Sequence, residues 1–268
     1  MLSNYKFRIL RAINRNRCAI RRRNHTVKPP SQKVGYLTIF HDLESDYCSL
    51  TTKDDSLKGI SGILNIEKKY GVSATYNTVA KLIIDEPQLV FRIMRNGHEI
   101  ASHTYSHNVM TNLSKEQIID DLRLTKDVFE SVGLKLSGFR APQSKWNFTL
   151  MQALLEQGIR WNAEIDAANY PYIILQKKSG FLLRMPAIID DWLYKSKNIE
   201  PEKMLNILIK IADTIANKRT YGSIGFHPWI HGEDSRRLDV FDSFLKYVTR
   251  QEKIEILTFG QMYQLCSK

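Results

Sequence analysis

Short apolar runs and segments of helical spacing alternate along most of the chain. Residues 34–40 (VGYLTIF) form an apolar run of mostly β-branched and aromatic side chains, which predicts a buried strand. Residues 57–70 carry apolar side chains at helical spacing and are followed by a glycine, a typical helix stop. Residues 114–132 have the strongest helix pattern, because Ser114 can cap the first turn and Gln117 completes a capping box.

The same alternation continues to the end of the chain. Further strands are predicted over residues 72–78, 98–102, 136–140, 159–163, 182–186, 221–226 and 253–258. Further helices are predicted over residues 89–95, 147–158, 200–218 and 235–250. Alternating strands and helices predict a parallel α/β sheet, and about seven or eight such units favour a closed (β/α) barrel over two domains. We therefore predict one barrel domain over residues 34–268.

Basic residues are concentrated at the start of the chain. The net charge is +11, from 39 Lys and Arg against 28 Asp and Glu. Residues 1–41 hold ten of the basic residues and no acidic one, so the rest of the chain is nearly neutral. Pro29 and Pro30 interrupt the pattern, and they mark the boundary between a basic arm, residues 1–33, and the barrel.

The arm has the pattern of an amphipathic helix. Tyr5, Ile9, Leu10 and Ile13 fall on one helical face, and the other faces are basic. Such a helix over residues 5–23 could bind an anionic membrane surface or a nucleic acid backbone, and the alternative is a solvated terminus. An organelle-targeting peptide has the same composition. Nucleic acid binding is not expected of the barrel, because its charges balance.

Overall composition restricts the class of protein. With 43% apolar and 25% charged residues, the chain is expected to be globular. No apolar run approaches the roughly 20 residues of a transmembrane helix. Three separated cysteines (Cys18, Cys48 and Cys266) exclude a disulfide scaffold and a cysteine-only zinc site, and they fit a reducing compartment. Charges interrupt every candidate secretory signal, so we expect a cytoplasmic protein, with any membrane contact at the inner face.

Chemically reactive residues directly follow several predicted strands, where (β/α) barrels carry their active sites. After the first strand, Asp42, Glu44 and Asp46 crowd together, which is costly unless a cation or a proton offsets their charge. After the third strand, His103 and His107 are four residues apart, so a helical turn would direct both imidazoles at one metal ion. Taken singly, the first motif could equally be a solvated turn and the second a pair of surface histidines.

Later strands end in the same way. Arg140 ends the fourth predicted strand and can hold a carboxylate in a fixed orientation. The acids Asp190 and Asp191 stand beside Trp192, and His227 follows the seventh predicted strand. A lone histidine of this kind is more often structural than catalytic.

The order of these motifs is more specific than any one of them. HDLESD, HTYSH, RAPQ, DDW and FHPW, in this order, resemble the motifs of the polysaccharide deacetylase family, also called the NodB homology domain or carbohydrate esterase family 4. The segments GILNIEKKYGVSATY and NFTLMQALLEQGIRWNAE extend the resemblance to about residues 35–262. It implies a distorted (β/α) barrel that hydrolyses N-acetyl groups of amino sugars. It also implies one divalent metal ion, usually zinc and in some members cobalt or manganese.

The resemblance assigns the metal ligands and the general base. His103 and His107 match the family's two ligand histidines, and Asp42 matches the base that deprotonates the attacking water. The commonest family pattern has two adjacent aspartates, whereas this chain has Asp-Leu-Glu at the same place. Relatives with an Asp-x-Asp or Asp-x-Glu turn place the metal ligand at the third position. The resemblance therefore assigns the metal carboxylate to Glu44, with Asp46 as the alternative.

The resemblance also assigns the general acid and its supporting charges. His227 would protonate the leaving amine, and Arg140 would orient the base. An acid of the DDW motif would pair with the histidine and raise its pKa. We assign this role to Asp190, with Asp191 as the alternative.

Three residues are assigned to the substrate. Gln143 stands where the family usually has tyrosine, and its backbone N–H would help to hold the oxyanion. Trp192 and Trp229 would line the sugar or acetyl group. The expected partner is an N-acetylated sugar or glycan, such as a lipid-linked or nucleotide-linked precursor of a surface polysaccharide.

Two other functions are compatible with the same fold. Some relatives hydrolyse cyclic amides, in certain cases without metal, but these typically lack part of the Asp-His-His set that this chain can assemble. An inactive barrel that binds carbohydrate or an anionic surface is the third hypothesis. The sequence indicates no oligomeric state.

Overall fold

The computed structural model describes residues 18–29 and 31–267. The strands are β1 Gly35–Leu43, β2 Thr75–Thr78, β3 Glu99–Ser102, β4 Gly138–Phe139, β5 Trp161–Ile165, β6 Tyr172–Lys177, β7 Gly180–Asp190, β8 Tyr221–Phe226 and β9 Ile254–Ile256. The helices after residue 30 are α1 Lys53–Tyr70, α2 Ala80–Asp85, α3 Pro87–Arg95, α4 Lys115–Ser131, α5 Phe148–Glu156, α6 Trp192–Ser196, α7 Pro201–Lys218, α8 Pro228–Glu233, α9 Arg236–Val248 and α10 Phe259–Cys266. Short 3-10 turns cover Ser45–Cys48, Met110–Asn112 and Pro142–Ser144.

Seven of the strands close into an all-parallel barrel. Their order is β2-β3-β4-β5-β7-β8-β1, and β1 also pairs with β2, which joins the two edges. Strand β9 pairs with the first three residues of β1, and β6 pairs antiparallel with β7. The predicted α/β class and (β/α) barrel are confirmed, with β6 and β9 outside the closed ring.

Alternate side chains of each strand face either the barrel interior or the surrounding helices. On the interior side of β1, Tyr36 and Phe40 pack in one buried cluster with Trp161 of β5. Phe259 of α10 closes the lower end, with its ring centroid 5.5 Å from Phe40 and 4.9 Å from Trp161. The next interior position of β1 is Asp42, so the strand period carries this carboxylate to the C-terminal end of the barrel.

The predicted elements agree with the structure in kind and differ at their ends. The capping box of α4 is present, because Ser114 Oγ accepts from Gln117 N–H and Gln117 Oε1 accepts from Ser114 N–H. Strand β1 runs beyond its predicted end to Leu43, because this end pairs with β2. Strand β6 and the short helices α2, α6, α8 and α10 have no counterpart in the sequence prediction.

The described part of the basic arm lies against the barrel. Residues 18–25 are helical, and the Arg22 guanidinium is 3.3 Å from the Asp166 carboxylate. Thr26 forms an isolated β-bridge with Tyr172 at the start of β6. These contacts tie the end of the arm to the outer hairpin of the barrel.

The apolar face predicted for the arm lies outside the described residues. It comprises Tyr5, Ile9, Leu10 and Ile13, so the amphipathic helix and the domain boundary near residue 33 stay predictions. Of the helices that the structure describes, none combines the length and the apolar character needed to cross a membrane.

Candidate active site

The C-terminal ends of the barrel strands bring the chemically reactive side chains together. They are Asp42 and Glu44 of β1 and its extension, His103 and His107 after β3, Arg140 and Gln143 after β4, Asp190 and Asp191 at the end of β7, and His227 after β8. Because parallel strands share one edge, motifs that are far apart in the sequence meet at the same mouth.

One carboxylate and two imidazoles form the first cluster. Glu44 Oε1 lies 3.3 Å from His103 Nε2 and 3.1 Å from His107 Nε2. The spacing of the two histidines predicted a helical turn, but the structure has no helical turn there. Instead Thr104 and His107 adopt positive φ values of 70° and 63°, and this irregular turn brings the two ring centroids to 5.2 Å. Such backbone conformations are strained for non-glycine residues and are concentrated at functional sites.

The donor set of this cluster fits a divalent metal ion. His103 Nδ1 lies 2.9 Å from the backbone carbonyl of Arg140, which can only accept, so Nδ1 carries the proton. In the neutral ring, Nε2 then presents a lone pair to the Glu44 carboxylate, and two acceptors face each other. A cation between them satisfies both, and one carboxylate with two imidazoles is a ligand set typical of zinc and similar ions.

Trp229 holds the other oxygen of the metal-site carboxylate. Its indole Nε1–H donates to Glu44 Oε2 at 3.2 Å, and its side chain is only 1% exposed. The structure thus places the indole against the metal-site carboxylate, and the role of Trp229 as a wall of the substrate site stays a prediction. Trp192, 42% exposed with its ring centroid 6.2 Å from Trp229, is the tryptophan that faces solvent at the mouth.

The alternative carboxylate after β1, Asp46, lies outside the cluster of Glu44, His103 and His107. Asp46 is exposed within the 3-10 turn Ser45–Cys48. Among the described residues, the groups that could hold a metal contain Glu44, His103 and His107 or Asp42, Glu44 and His227, without Asp46. The geometry therefore favours Glu44 over Asp46, because the chain turns outward directly after Glu44.

Asp42 is held by two donors at the bottom of the mouth. Arg140 Nε lies 3.0 Å from Oδ1 and 2.7 Å from Oδ2, and Asn77 Nδ2 donates to Oδ1 at 2.8 Å. Burial alone would raise the pKa of Asp42, but the charges of Arg140, His103 and His227 lower it below its usual value. The carboxylate is therefore ionised and can accept a proton. Asn77 was absent from the sequence assignment, although it is an interior polar residue near the end of the second predicted strand.

The partner of His227 is Asp191, and the predicted pairing with Asp190 is wrong. Asp191 Oδ1 lies 2.6 Å from His227 Nδ1, and both Asp191 oxygens accept from the His227 backbone N–H at 3.1 and 3.0 Å. Asp190 instead accepts from Arg140 Nη2 at 2.9 Å. Neighbouring residues at a strand end point to different sides, so the two acids serve different cations.

The Asp191 pair sets the protonation of His227. Burial alone would lower the pKa of the imidazole, but the charges of Asp191 and Glu44 raise it to about 10. The ring therefore holds a proton at neutral pH. A second histidine, His231 of α8, also lies near Asp191, with Nε2 3.3 Å from Oδ2. Nothing in the sequence distinguished His231, because it contacts the site only through the fold.

Two further residues lie near the mouth, and only one of them belongs to it. Gln143 lies in the turn after β4 with a positive φ of 58°, and its side chain is exposed. His41, although next to Asp42, points to the outer side of the barrel, where its Nε2 lies 2.8 Å from Glu67. It therefore supports the packing of α1 and takes no part in the cluster.

Fold and site together define a parallel β/α-barrel protein with a candidate metal site at the C-terminal mouth. Residues 42–161 match the sequence profile of the family described as polysaccharide deacetylase. These residues are just under half of the chain, and over them its motifs' resemblance to the polysaccharide deacetylase family is confirmed.

Individual relatives support the same family. The peptidoglycan-N-acetylglucosamine deacetylase PgdA of Listeria monocytogenes is 26% identical over 124 residues, which is 46% of this chain and 27% of that protein. The chain thus matches about a quarter of the length of this curated relative. The crystal structure of a protein named as a putative polysaccharide deacetylase, from Mycobacterium smegmatis, superposes with a TM-score of 0.80 at 20% identity, covering 91% of this chain and 93% of that one.

The fold is shared with a protein named for a different reaction. The structure of Puue allantoinase superposes with a TM-score of 0.79 at 15% identity, covering 88% of this chain and 91% of that one. At such identities the likeness shows the fold alone. The choice among reactions therefore depends on the residues at the mouth.

Proposed function

We propose that this protein is a metal-dependent hydrolase that removes the N-acetyl group from an amino sugar in a glycan or glycan precursor. The proposal rests on one observation of geometry. The cluster of Glu44, His103 and His107 shares the barrel mouth with Asp42, which is paired with Arg140, and with His227, which is paired with Asp191. The name of the Listeria relative, a peptidoglycan-N-acetylglucosamine deacetylase, supports an N-acetylated sugar as substrate.

Asp42 is the general base in this proposal. It takes one proton from water while the water oxygen bonds to the acetyl carbon. Arg140 and Asn77 fix the carboxylate by three hydrogen bonds, so its orientation does not depend on the substrate. Asp190 accepts from Nη2 of the same guanidinium at 2.9 Å and so supports Arg140.

His227 is the general acid. Its Nε2 lies 3.7 Å from both Asp42 Oδ2 and Glu44 Oε1, so it faces the same space as the base and the metal cluster. When the C–N bond breaks, the Nε2 proton passes to the amine nitrogen, and the products are acetate and a free amino sugar. Asp191 holds the ring by its other nitrogen and keeps it charged before transfer.

Glu44, His103 and His107 would hold one divalent metal ion. This ligand set suits zinc best, with cobalt or manganese as alternatives. When bound, such an ion polarises the acetyl carbonyl and lowers the pKa of water towards neutrality. The backbone N–H of Gln143 would donate to the carbonyl oxygen as negative charge develops on it. Trp192, exposed at the mouth, would provide an apolar wall for the sugar or the acetyl methyl group.

The decisive test is release of acetate by the purified full chain. The protein, loaded in turn with zinc, cobalt and manganese, is incubated with N-acetylglucosamine oligomers, peptidoglycan fragments and nucleotide-linked N-acetyl sugars. We expect acetate and free amine in equal amounts from at least one of these substrates, and loss of both after chelation. Asp46→Asn, which changes an exposed carboxylate outside the cluster, is the matched control and should retain activity.

Other outcomes would contradict the proposal in distinguishable ways. Hydrolysis of a cyclic amide without acetate release would identify the other C–N hydrolase suggested by the shared fold. Binding of a glycan with full metal occupancy and no turnover on any substrate would identify an inactive binding barrel.

We further propose that the basic arm binds an anionic membrane surface, which would bring a lipid-linked precursor to the barrel mouth. Arg21 and Arg23 lie on the helical segment 18–25 and are not part of the Arg22–Asp166 ion pair. Each basic residue near an anionic surface contributes about 1 kcal/mol, so changing two should weaken binding roughly 30-fold.

Vesicle sedimentation tests this proposal. The full chain is mixed with vesicles of phosphatidylglycerol and phosphatidylcholine, and with vesicles of phosphatidylcholine alone. We expect binding to the anionic vesicles only, and much weaker binding of the Arg21→Gln/Arg23→Gln variant. The control Lys210→Gln/Lys246→Gln removes the same charge from exposed positions elsewhere. Equal losses in both variants would indicate a nonspecific charge effect and no arm-directed binding.

A further inference from the structure

A buried carboxylate outside the catalytic cluster organises the turn after β4. Glu164 of β5 is fully buried and receives three hydrogen bonds. Its Oε1 accepts from Ala141 N–H at 2.9 Å and from Asn162 Nδ2 at 2.8 Å. Its Oε2 accepts from the Ser144 hydroxyl at 2.7 Å. Two of the three donors therefore belong to the turn that carries Arg140 and Gln143.

This turn carries three separate contributions to the site. The Arg140 guanidinium holds Asp42 by two contacts at 3.0 and 2.7 Å. The Arg140 carbonyl lies 2.9 Å from His103 Nδ1 and orients its Nε2 towards the metal cluster. The backbone N–H of Gln143 belongs to the same turn. A shift of this segment would therefore disturb the base and the oxyanion donor, whereas the Arg140 backbone, whose N–H donates to the Ser102 carbonyl at 2.9 Å, keeps the metal ligand in place.

The turn does not adopt its shape unaided. Gln143 and Ser144 have positive φ values of 58° and 51°, a conformation that non-glycine residues rarely adopt in succession. Ser144 Oγ also accepts from Ile165 N–H at 2.8 Å, so its hydroxyl links the turn to both Glu164 and the end of β5. Surrounding contacts must maintain a conformation of this kind.

We infer that Glu164 is a positioning residue for hydrolysis, which holds the 140–144 turn in the geometry that presents Arg140 and the Gln143 N–H to the substrate. This inference rests on the proposed function. Glu164 acts through the turn and does not touch the reacting atoms.

The chemistry of the three contacts explains why a carboxylate stands here. All three partners donate, and an ionised carboxylate offers acceptors on both oxygens. A glutamine of the same shape offers one acceptor oxygen and one donor NH₂ group. In Glu164→Gln the NH₂ group faces either the Ala141 and Asn162 donors, where both contacts are lost, or the Ser144 hydroxyl. In the second case the hydroxyl must change from donor to acceptor, although it already accepts from Ile165 N–H.

The first test separates positioning from folding by kinetics. In the zinc-loaded full chain, we expect Glu164→Gln to lower kcat about 100-fold, as for loss of an oxyanion-hole donor, with KM changed less than about threefold. Zinc content and the melting temperature should stay near those of the wild type. The matched control is Glu99→Gln, which changes a partly buried carboxylate at the lower end of the barrel that accepts from Thr75 and Gly260. This control should leave kcat and KM unchanged.

A second variant addresses the same turn with a smaller change. Ser144→Ala removes one of the three contacts and should lower kcat about tenfold. The double variant should be no slower than Glu164→Gln alone, because both changes act through one turn. Full additivity of the two effects, or wild-type kcat in Glu164→Gln, would overturn the inference. So would a kcat loss matched by loss of zinc and of melting temperature, since that is the pattern of unfolding.

Hydrogen exchange tests the turn independently of activity. Mass spectrometry of peptides covering residues 140–147 should show at least about tenfold faster exchange in Glu164→Gln than in the wild type or Glu99→Gln. Unchanged exchange in this segment would refute the positioning role even if activity falls. If the wild type releases no acetate from any substrate, the proposed function fails, and the exchange result alone decides whether Glu164 holds the turn.

Discussion

Asp42→Asn is expected to lower kcat about a thousandfold while the metal stays bound, because general base catalysis contributes about 10²- to 10⁴-fold. The asparagine oxygen can still accept from Arg140, so the side chain keeps its position. It cannot take a proton from water, and the step that forms the C–O bond loses its base. Glu44, His103 and His107 are unchanged, so the metal ligands stay in place.

Steady-state kinetics and metal content on the same preparations would measure this effect. The matched control is Asp190→Asn, which removes the other carboxylate from Arg140 at 2.9 Å but leaves the base intact. We expect a loss of kcat of about tenfold for the control. Equal losses in the two variants would mean that the unpaired charge of Arg140 causes the defect. Loss of metal in Asp42→Asn would instead assign Asp42 to the ligand set with Glu44 and His227, a grouping that the geometry also allows.

His103→Ala is expected to remove both the metal and turnover. The variant deletes one imidazole and leaves the carboxylate of Glu44 opposite the single ring of His107. Loss of a residue that only supports a ligand typically weakens metal binding 10- to 100-fold, so loss of a ligand should exceed about 100-fold. Because the cluster and the base share one cavity, turnover should fall with metal occupancy.

Plasma mass spectrometry of the wild type and variants would check the metal site. We expect about one zinc, cobalt or manganese per wild-type chain and almost none in His103→Ala. His25→Ala, a histidine on the arm helix, is the control and should keep full occupancy. Full occupancy in His103→Ala would contradict the ligand assignment.

Trp229→Phe tests the support of the metal-site carboxylate. The variant keeps an aromatic ring but removes the N–H that donates to Glu44 Oε2, so we expect roughly 10- to 100-fold weaker metal binding.

Strand-end position was the most informative part of the sequence. Asp42, His103, Arg140 and His227 each follow an apolar run, and the parallel barrel brings those run ends to one mouth. This could be predicted because strand length and side-chain period are local properties of the chain. The preference for Glu44 over Asp46 came from the family resemblance, and the geometry of the cluster favours the same residue.

The errors and omissions concern single side-chain directions. Asp190 and Asp191 are adjacent, and only the pairing of β7 with β8 decides that Asp191 faces His227. Trp229 follows His227 closely in sequence, yet helix α8 buries it against Glu44. Glu164 and Asn77 have no distinctive sequence pattern, because their partners lie on other strands.

The sequence by itself determined the alternation of strands and helices, the barrel, and most of the residues at its mouth. These follow from periodic burial and from the rule that parallel strands end at a common edge. Only the tertiary structure decided which acid meets which cation, how His103 and His107 meet without a helix, and which buried carboxylate holds the turn after β4. The reason is that each of these depends on a side-chain direction, which the pairing with neighbouring strands sets. A shift of the strand register by one residue would move a side chain from the barrel interior to the outer face.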